Sequence, residues 1–201
     1  MFFKRKEKPT GPIDFLVVGL GNPGKKYEGT RHNAGFMAVE ALGEKLGVKK
    51  IARVRFKSLS AEAMIGDKRV LLLLPQTFMN KSGEAVLEAM QFYKLPPEQV
   101  LVLFDDITAP VGNVRVRRKG SDGGQKGMRS ILYLTGSDQF PRIKLGIGAK
   151  PYPQMDLAAW VLSRFTPEEA PKMVNAARRA AEAACLIVEG NIDKAMNLYS
   201  K

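Results

Sequence analysis

Five short apolar runs constrain this chain more than anything else in it: Phe15 to Val18, Ala61 to Ile65, Val70 to Leu74, Val100 to Phe104 and Ile143 to Ile147. Each has the length and aliphatic content of a buried strand. Between them apolar residues recur at helical spacing. Phe36, Val39, Leu42 and Leu46 form one such stripe, stopped by Gly47, and Val86, Leu87, Met90 and Phe92-Tyr93 form another that Asn80 to Ser82 can cap. Met128, Ile131 and Leu132 mark a short third helix. Pro167, following Thr166 and preceding Glu168 and Glu169, opens a longer one whose stripe runs through Val174, Ala177, Ala181, Ala184 and Val188 to Gly190. Ile192, Ala195, Met196 and Tyr199 are spaced for a last short helix. Gly66-Asp67 joins the second and third runs as a hairpin, and Val114-Arg115-Val116-Arg117 alternates as a half-exposed strand with its arginines on one side. Alternation of strand and helix predicts an α/β fold, a twisted mixed β-sheet flanked by helices in a single domain over 13–201. A chain of 201 residues suffices for one good core.

Charge narrows the partners. Lys and Arg number 32 against 20 Asp and Glu, a formal excess of +12, so the surface should seek polyanions, with nucleic acid and an anionic membrane as the competing candidates. No apolar run approaches the length that spans a bilayer, and no membrane partner is expected. Residues 1–12, MFFKRKEKPTGP, carry no apolar core or cleavage-site pattern of a secretory signal and read as a basic flexible tail that adds nonspecific phosphate contacts. The lone Cys185 excludes an internal disulfide framework and fits a reducing compartment, the cytoplasm.

Chemistry concentrates where the first strand ends. The stretch FLVVGLGNPGKKYEGTRHNAG holds the only histidine, His32, with amides at Asn22 and Asn33, in the loop just before a helix. Open α/β sheets usually place their chemistry there. Gly19, Gly21 and Gly24 also match a dinucleotide-binding fingerprint, but residues 25–30 have no sustained apolar period, so the helix that should receive a pyrophosphate starts about ten residues late. The run ending at Phe104 empties into Asp105-Asp106. Alternation turns those two carboxylates to opposite faces, one toward a site and one toward the loop, unless both merely form a turn. A glycine-rich loop, Gly120 to Gly127, follows the arginine strand, and Arg142 and Lys144 extend the basic set.

Three blocks carry a resemblance. Gly19-Leu20-Gly21-Asn22-Pro23-Gly24 with Tyr27 and Thr30-Arg31-His32-Asn33-Ala34-Gly35, then Pro75 to Gly83 (PQTFMNKSG), then Asp105-Asp106-Ile107 with Gly112, resemble the bacterial-type peptidyl-tRNA hydrolase family from about Phe15 onward. The resemblance implies an esterase that cleaves peptide from the 3′-terminal ribose of tRNA, a cytoplasmic monomer serving translation. It implies His32, Asp105 and Asn22 as catalytic residues, Tyr27, Phe78, Asn80 and Lys126 as binding the acylated end of the tRNA, and Arg117 and Lys144 as phosphate contacts. Gln125-Lys126 departs from the family's histidine-asparagine; an ammonium donates hydrogen bonds but accepts none, unlike an amide.

The residues fit that chemistry. If His32 faces Asp105, a neutral imidazole held in one tautomer by a carboxylate can take a proton from water near neutral pH. No serine lies in a nucleophile elbow, and Cys185 stands alone. A single histidine with no thiolate cluster argues against a transition-metal site, and no cofactor is expected. Side-chain amides such as Asn22 and Asn80 suit a developing oxyanion. A noncatalytic RNA-binding protein, as among plant relatives of the same fold, and a nucleotide-dependent oxidoreductase are the rival readings.

Overall fold

The computed structural model describes residues 11–200; the basic tail predicted over 1–12 lies, but for its last two residues, outside them. Among the described residues seven strands form one sheet and six α-helices cover it. In chain order they are β1 (Phe15–Gly19), α1 (Ala34–Lys45), β2 (Arg53–Arg55), β3 (Ser58–Ile65), β4 (Lys68–Pro75), α2 (Ser82–Tyr93), β5 (Val100–Asp106), β6 (Val114–Arg117), α3 (Lys126–Thr135), β7 (Arg142–Gly146), α4 (Leu157–Val161), α5 (Ala170–Val188) and α6 (Ile192–Tyr199).

The sheet order is β2-β3-β4-β1-β5-β7-β6. Strand β1 runs parallel to β4 and β5, with Val17 opposite Leu72 on one side and Leu101 on the other, and β5 runs parallel to β7. The outer pairings, β2 with β3, β3 with β4 and β6 with β7, are antiparallel. The central strands are covered on both faces, which explains their continuous apolar runs. On one face Val39, Leu42, Ala180, Ala184 and Ala195 from α1, α5 and α6 pack with Val17, Leu72 and Leu103. On the other, Val86, Ala89, Met128 and Ile131 from α2 and α3 pack with Leu16, Val18, Leu73 and Val102.

That division positions the site. The chain leaves β1 through α1 on one face and leaves β4 through α2 on the opposite face, so the carboxyl ends of β1, β4 and β5 open where the connections diverge. Helix α1 starts almost on top of those ends. A Cβ on Gly35 would lie 2.3 Å from the carbonyl oxygen of Leu103 and 2.5 Å from the amide nitrogen of Leu20, so only glycine lets the helix begin there. A second close approach joins α2 to α3: a Cβ on Gly83 would meet the Ser130 carbonyl oxygen at 2.4 Å, and the Gly83 N–H donates to Ser130 Oγ at 3.0 Å.

Four local expectations are revised. Helix α5 begins at Ala170 rather than Pro167, because Thr166 and Glu169 bond reciprocally, N–H to Oε2 at 2.9 Å and N–H to Oγ1 at 3.3 Å, and close a turn ahead of it. Val174 faces solvent and Met173 takes the inward position. Asn80 caps no helix; Ser82 Oγ donates to the Met79 carbonyl at 2.9 Å instead. Arg142 is no surface cation: it is 1% exposed and its guanidinium donates to the carbonyls of Phe140, Ser121 and Asp138. Burial depresses its pKa, opposed by the nearby Asp138 carboxylate.

Candidate active site

The loops that follow β1, β4 and β5 enclose a cleft of about 410 Å³. His32 reaches it from a single 3-10 turn, Arg31–Asn33, immediately ahead of α1. Its Nδ1 lies 2.8 Å from Oδ2 of the buried Asp105 on β5. With a carboxylate as acceptor, Nδ1 carries the proton, and Nε2 keeps its lone pair on the free side of the ring.

Strand β5 extends through both aspartates, so alternation sends Asp106 to the opposite face. There its Oδ1 accepts from the Thr108 N–H at 2.9 Å and hydroxyl at 2.7 Å, while Lys144 Nζ sits 2.9 Å from Oδ2. Burial works to raise the Asp106 pKa, but the bonds from Thr108 and Lys144 together outweigh it and hold the carboxyl below its ordinary value of 3.8. A depressed folded-state value stabilises the protein above the ordinary pKa, and that stabilisation is lost as the pH falls through the lowered one. Asp106→Asn should therefore cost more stability at about pH 6 than at about pH 2, measured by urea denaturation at both.

Asn22 is braced by Asn33: its backbone N–H donates to Asn33 Oδ1 at 2.8 Å, and Asn33 Nδ2 donates back to the Asn22 carbonyl at 3.0 Å. Asn22 Oδ1 accepts from the Met79 N–H at 2.8 Å, which fixes the amide orientation and leaves its Nδ2 as the free donor at the cleft. Phe78, just before Met79, has φ 59 and ψ 158, a region nearly reserved for glycine. Holding a bulky side chain there costs on the order of 1–3 kcal/mol. Its ring is 53% exposed and meets Tyr27 edge-on at 6.2 Å, so the strain presents an aromatic wall to the opening. Asn80 and Lys126, the first residue of α3, stand exposed on the rim, and Asp156, Leu157, Val161 and Leu162 form the facing wall.

The cleft thus gathers Asn22, Tyr27, His32, Phe78, Asn80, Asp105 and Lys126. Arg117 and Lys144 are not among its lining residues: Arg117 is exposed on β6, bonded to the Val116 carbonyl, and Lys144 is occupied by Asp106. Two contributors escaped sequence reasoning. Gln125, read there only as a departure, is buried and donates through Nε2 to Asp105 Oδ1 at 3.0 Å. Its side chain caps α3, but glutamine is not among the residue types that announce a helix cap, so no sequence signal pointed to it. Arg31 is buried beside His32, where Nη1 donates to the Ile147 carbonyl at 2.9 Å, Nη2 to Glu169 at 2.6 Å and Nε to Ser163 Oγ at 3.1 Å. Its guanidinium stacks on Trp160 at 3.8 Å and so ties the histidine turn to the facing wall. No local pattern announces that role.

The family model for peptidyl-tRNA hydrolase matches residues 16–201. The chain belongs to the peptidyl-tRNA hydrolase family. Relatives named peptidyl-tRNA hydrolase include one from Caldanaerobacter subterraneus subsp. tengcongensis, 51% identical over 92% of this chain and 99% of its own, and one from Alkaliphilus oremlandii, 48% identical over 92% and 98%. A crystal structure of peptidyl-tRNA hydrolase from Acinetobacter baumannii matches with a TM-score of 0.86 at 34% identity, covering 96% of this chain and 99% of that one. The mixed sheet and its helices are therefore the architecture of that hydrolase family.

Proposed function

We propose that the cleft hydrolyses the ester between a peptide, or an N-blocked amino acid, and the 3′-terminal ribose of tRNA, releasing free tRNA for translation. The observation that carries this reading is the 2.8 Å pair of His32 and Asp105 opening on the same cleft as the free amide nitrogen of Asn22. His32 Nε2 takes a proton from water as the water oxygen attacks the ester carbonyl carbon. Asp105 steadies the imidazolium that forms, and Asn22 Nδ2, with Asn80 on the rim, donates to the carbonyl oxygen as it gains negative charge. Collapse of the tetrahedral adduct breaks the bond to the ribose oxygen. That oxygen takes the proton back from His32, leaving tRNA and a peptide carboxylic acid that loses its proton to solvent.

Tyr27 and Phe78 offer ring faces and edges to the acylated end, and the apolar Leu157, Val161 and Leu162 offer a wall for the peptide. Asn80 and Lys126 also border a shallower groove that continues past Lys81, Arg129 and the 84% exposed Tyr133, a surface that suits phosphates and bases. Arg117 supplies a further phosphate contact farther along the face, and Lys144 adds one through the ammonium protons that its pair with Asp106 leaves free. We place the enzyme in the cytoplasm as a monomer without a cofactor. Among the described residues no helix is long and apolar enough to cross a membrane.

The deciding experiment incubates the protein with an N-blocked aminoacyl-tRNA and follows loss of the ester. Turnover supports the hydrolase; RNA binding without turnover supports the noncatalytic reading instead. Lys126→Glu should weaken substrate binding and flatten the dependence of log Kd on log salt by about one contact, whereas Lys126→Asn is tolerated. Unchanged binding in the glutamate variant would remove this loop from the tRNA interface.

A further inference from the structure

We propose that Gln125 is a positioning residue for the hydrolysis, holding Asp105 by its second oxygen so that Asp105 can fix the imidazole of His32; the proposal rests on the hydrolase reading above. Asp105 is buried, and each of its oxygens has one partner: Oδ2 the ring of His32 at 2.8 Å, Oδ1 the Nε2 of Gln125 at 3.0 Å. A buried carboxylate lacking the second partner would be free to rotate and would lose part of what stabilises its charge.

The Gln125 amide cannot be turned round. Its Oε1 accepts from the Met128 N–H at 2.7 Å as the cap of α3, so Nε2 must face Asp105. Helix α3 is itself anchored by the buried Met128 and Ile131 and by the contact of Ser130 with Gly83. Gln125 Nε2 also lies 3.0 Å from Met79 Sδ, and the backbone N–H of that methionine orients Asn22. One amide therefore connects the acid behind the base with the donor for the oxyanion.

An amide also does not titrate, so the support under Asp105 is the same at every working pH. The other ionisable groups facing this pair are few. Tyr27 and Asp156 line the cleft from the two walls, and Lys126 follows Gln125 on α3. Asp106 points to the far side of β5, where Lys144 and Arg115 face it.

Gln125→Glu tests the assignment. It keeps an acceptor for the Met128 N–H and replaces the donor to Asp105 with a second carboxylate, which favours a protonated His32. His32 is the only histidine in the chain, so its imidazole C–H signals in NMR report it alone. The expected result is that the His32 titration and the acid limb of kcat/KM both move to higher pH by about one pH unit, with KM unchanged. Gln125→Met, which removes donor and cap together, should lower both kcat and melting temperature, and the melting loss alone should appear if the role is only structural. Because two carboxyls that close can share one proton and so keep a donor to Asp105, it is an unmoved His32 titration in Gln125→Glu together with an undiminished kcat in Gln125→Met that overturns the proposal. A moved titration in Gln125→Glu alongside a wild type without turnover overturns the hydrolase reading and leaves the link from Gln125 through Asp105 to His32 standing.

Discussion

His32→Ala lowers kcat for an N-blocked aminoacyl-tRNA by about 10²-fold to 10⁴-fold, the usual worth of a positioned general base, and leaves tRNA affinity nearly unchanged. In the proposed mechanism the imidazole acts on water and the ester, whereas affinity comes from cations and aromatic rings on the rim. The fold should survive the change, because Asp105 keeps its bond from Gln125 and the turn carrying residue 32 is held by its neighbours: Asn33 braces Asn22 and Arg31 grips Ile147, Ser163 and Glu169. Single-turnover ester loss alongside filter binding measures both quantities on the same preparation. Equal, slow activity in wild type and variant would eliminate the catalytic role of the histidine.

Asn22→Asp is the second large effect, and it isolates one hydrogen. A carboxylate at this position still accepts from the Met79 N–H, so the backbone around strained Phe78 keeps its anchor. What disappears is the Nδ2 donor, replaced by a negative charge beside an oxygen that is itself becoming negative. Loss of one such donor typically lowers the rate by about 10²-fold to 10³-fold, and the added repulsion acts in the same direction. The drop should fall on kcat with little change in KM, since the donor is needed most after water has attacked. A change confined to KM would mean that Asn22 binds ground-state substrate and has no part in stabilising the adduct.

The sheet was legible because its strands are buried on both faces and therefore announce themselves as aliphatic runs, and the hairpin because Gly66-Asp67 separates two of them. The chemistry was legible in part. His32 is alone of its kind, but alternation alone could not say which face of β5 turns toward the turn before α1, and only the family resemblance pointed to Asp105 over Asp106. Arg142 and Arg117 look alike in sequence and end in opposite surroundings, one sealed beneath carbonyls on an inner strand and one exposed on an edge strand. Asn80 resembled a helix cap, yet the backbone turns before it and leaves its amide on the rim. Gln125 could be seen as unusual but not as useful, because its value lies in a partner 20 positions away that meets it only once the sheet and α3 are assembled.

Arg31 has a mechanical consequence. The residue next to His32 is clasped by the same segment that supplies α4 and the far side of the cleft, and its backbone N–H donates to the Ser163 carbonyl at 2.9 Å. Widening the opening by swinging that segment outward must therefore unstack Trp160 and drag on the loop that aims the imidazole. On the proposed mechanism, substrate of varied bulk is accommodated along the rim, at the exposed rings and lysine, while the spacing between the His32 ring and the opposite wall stays as fixed as a caliper jaw.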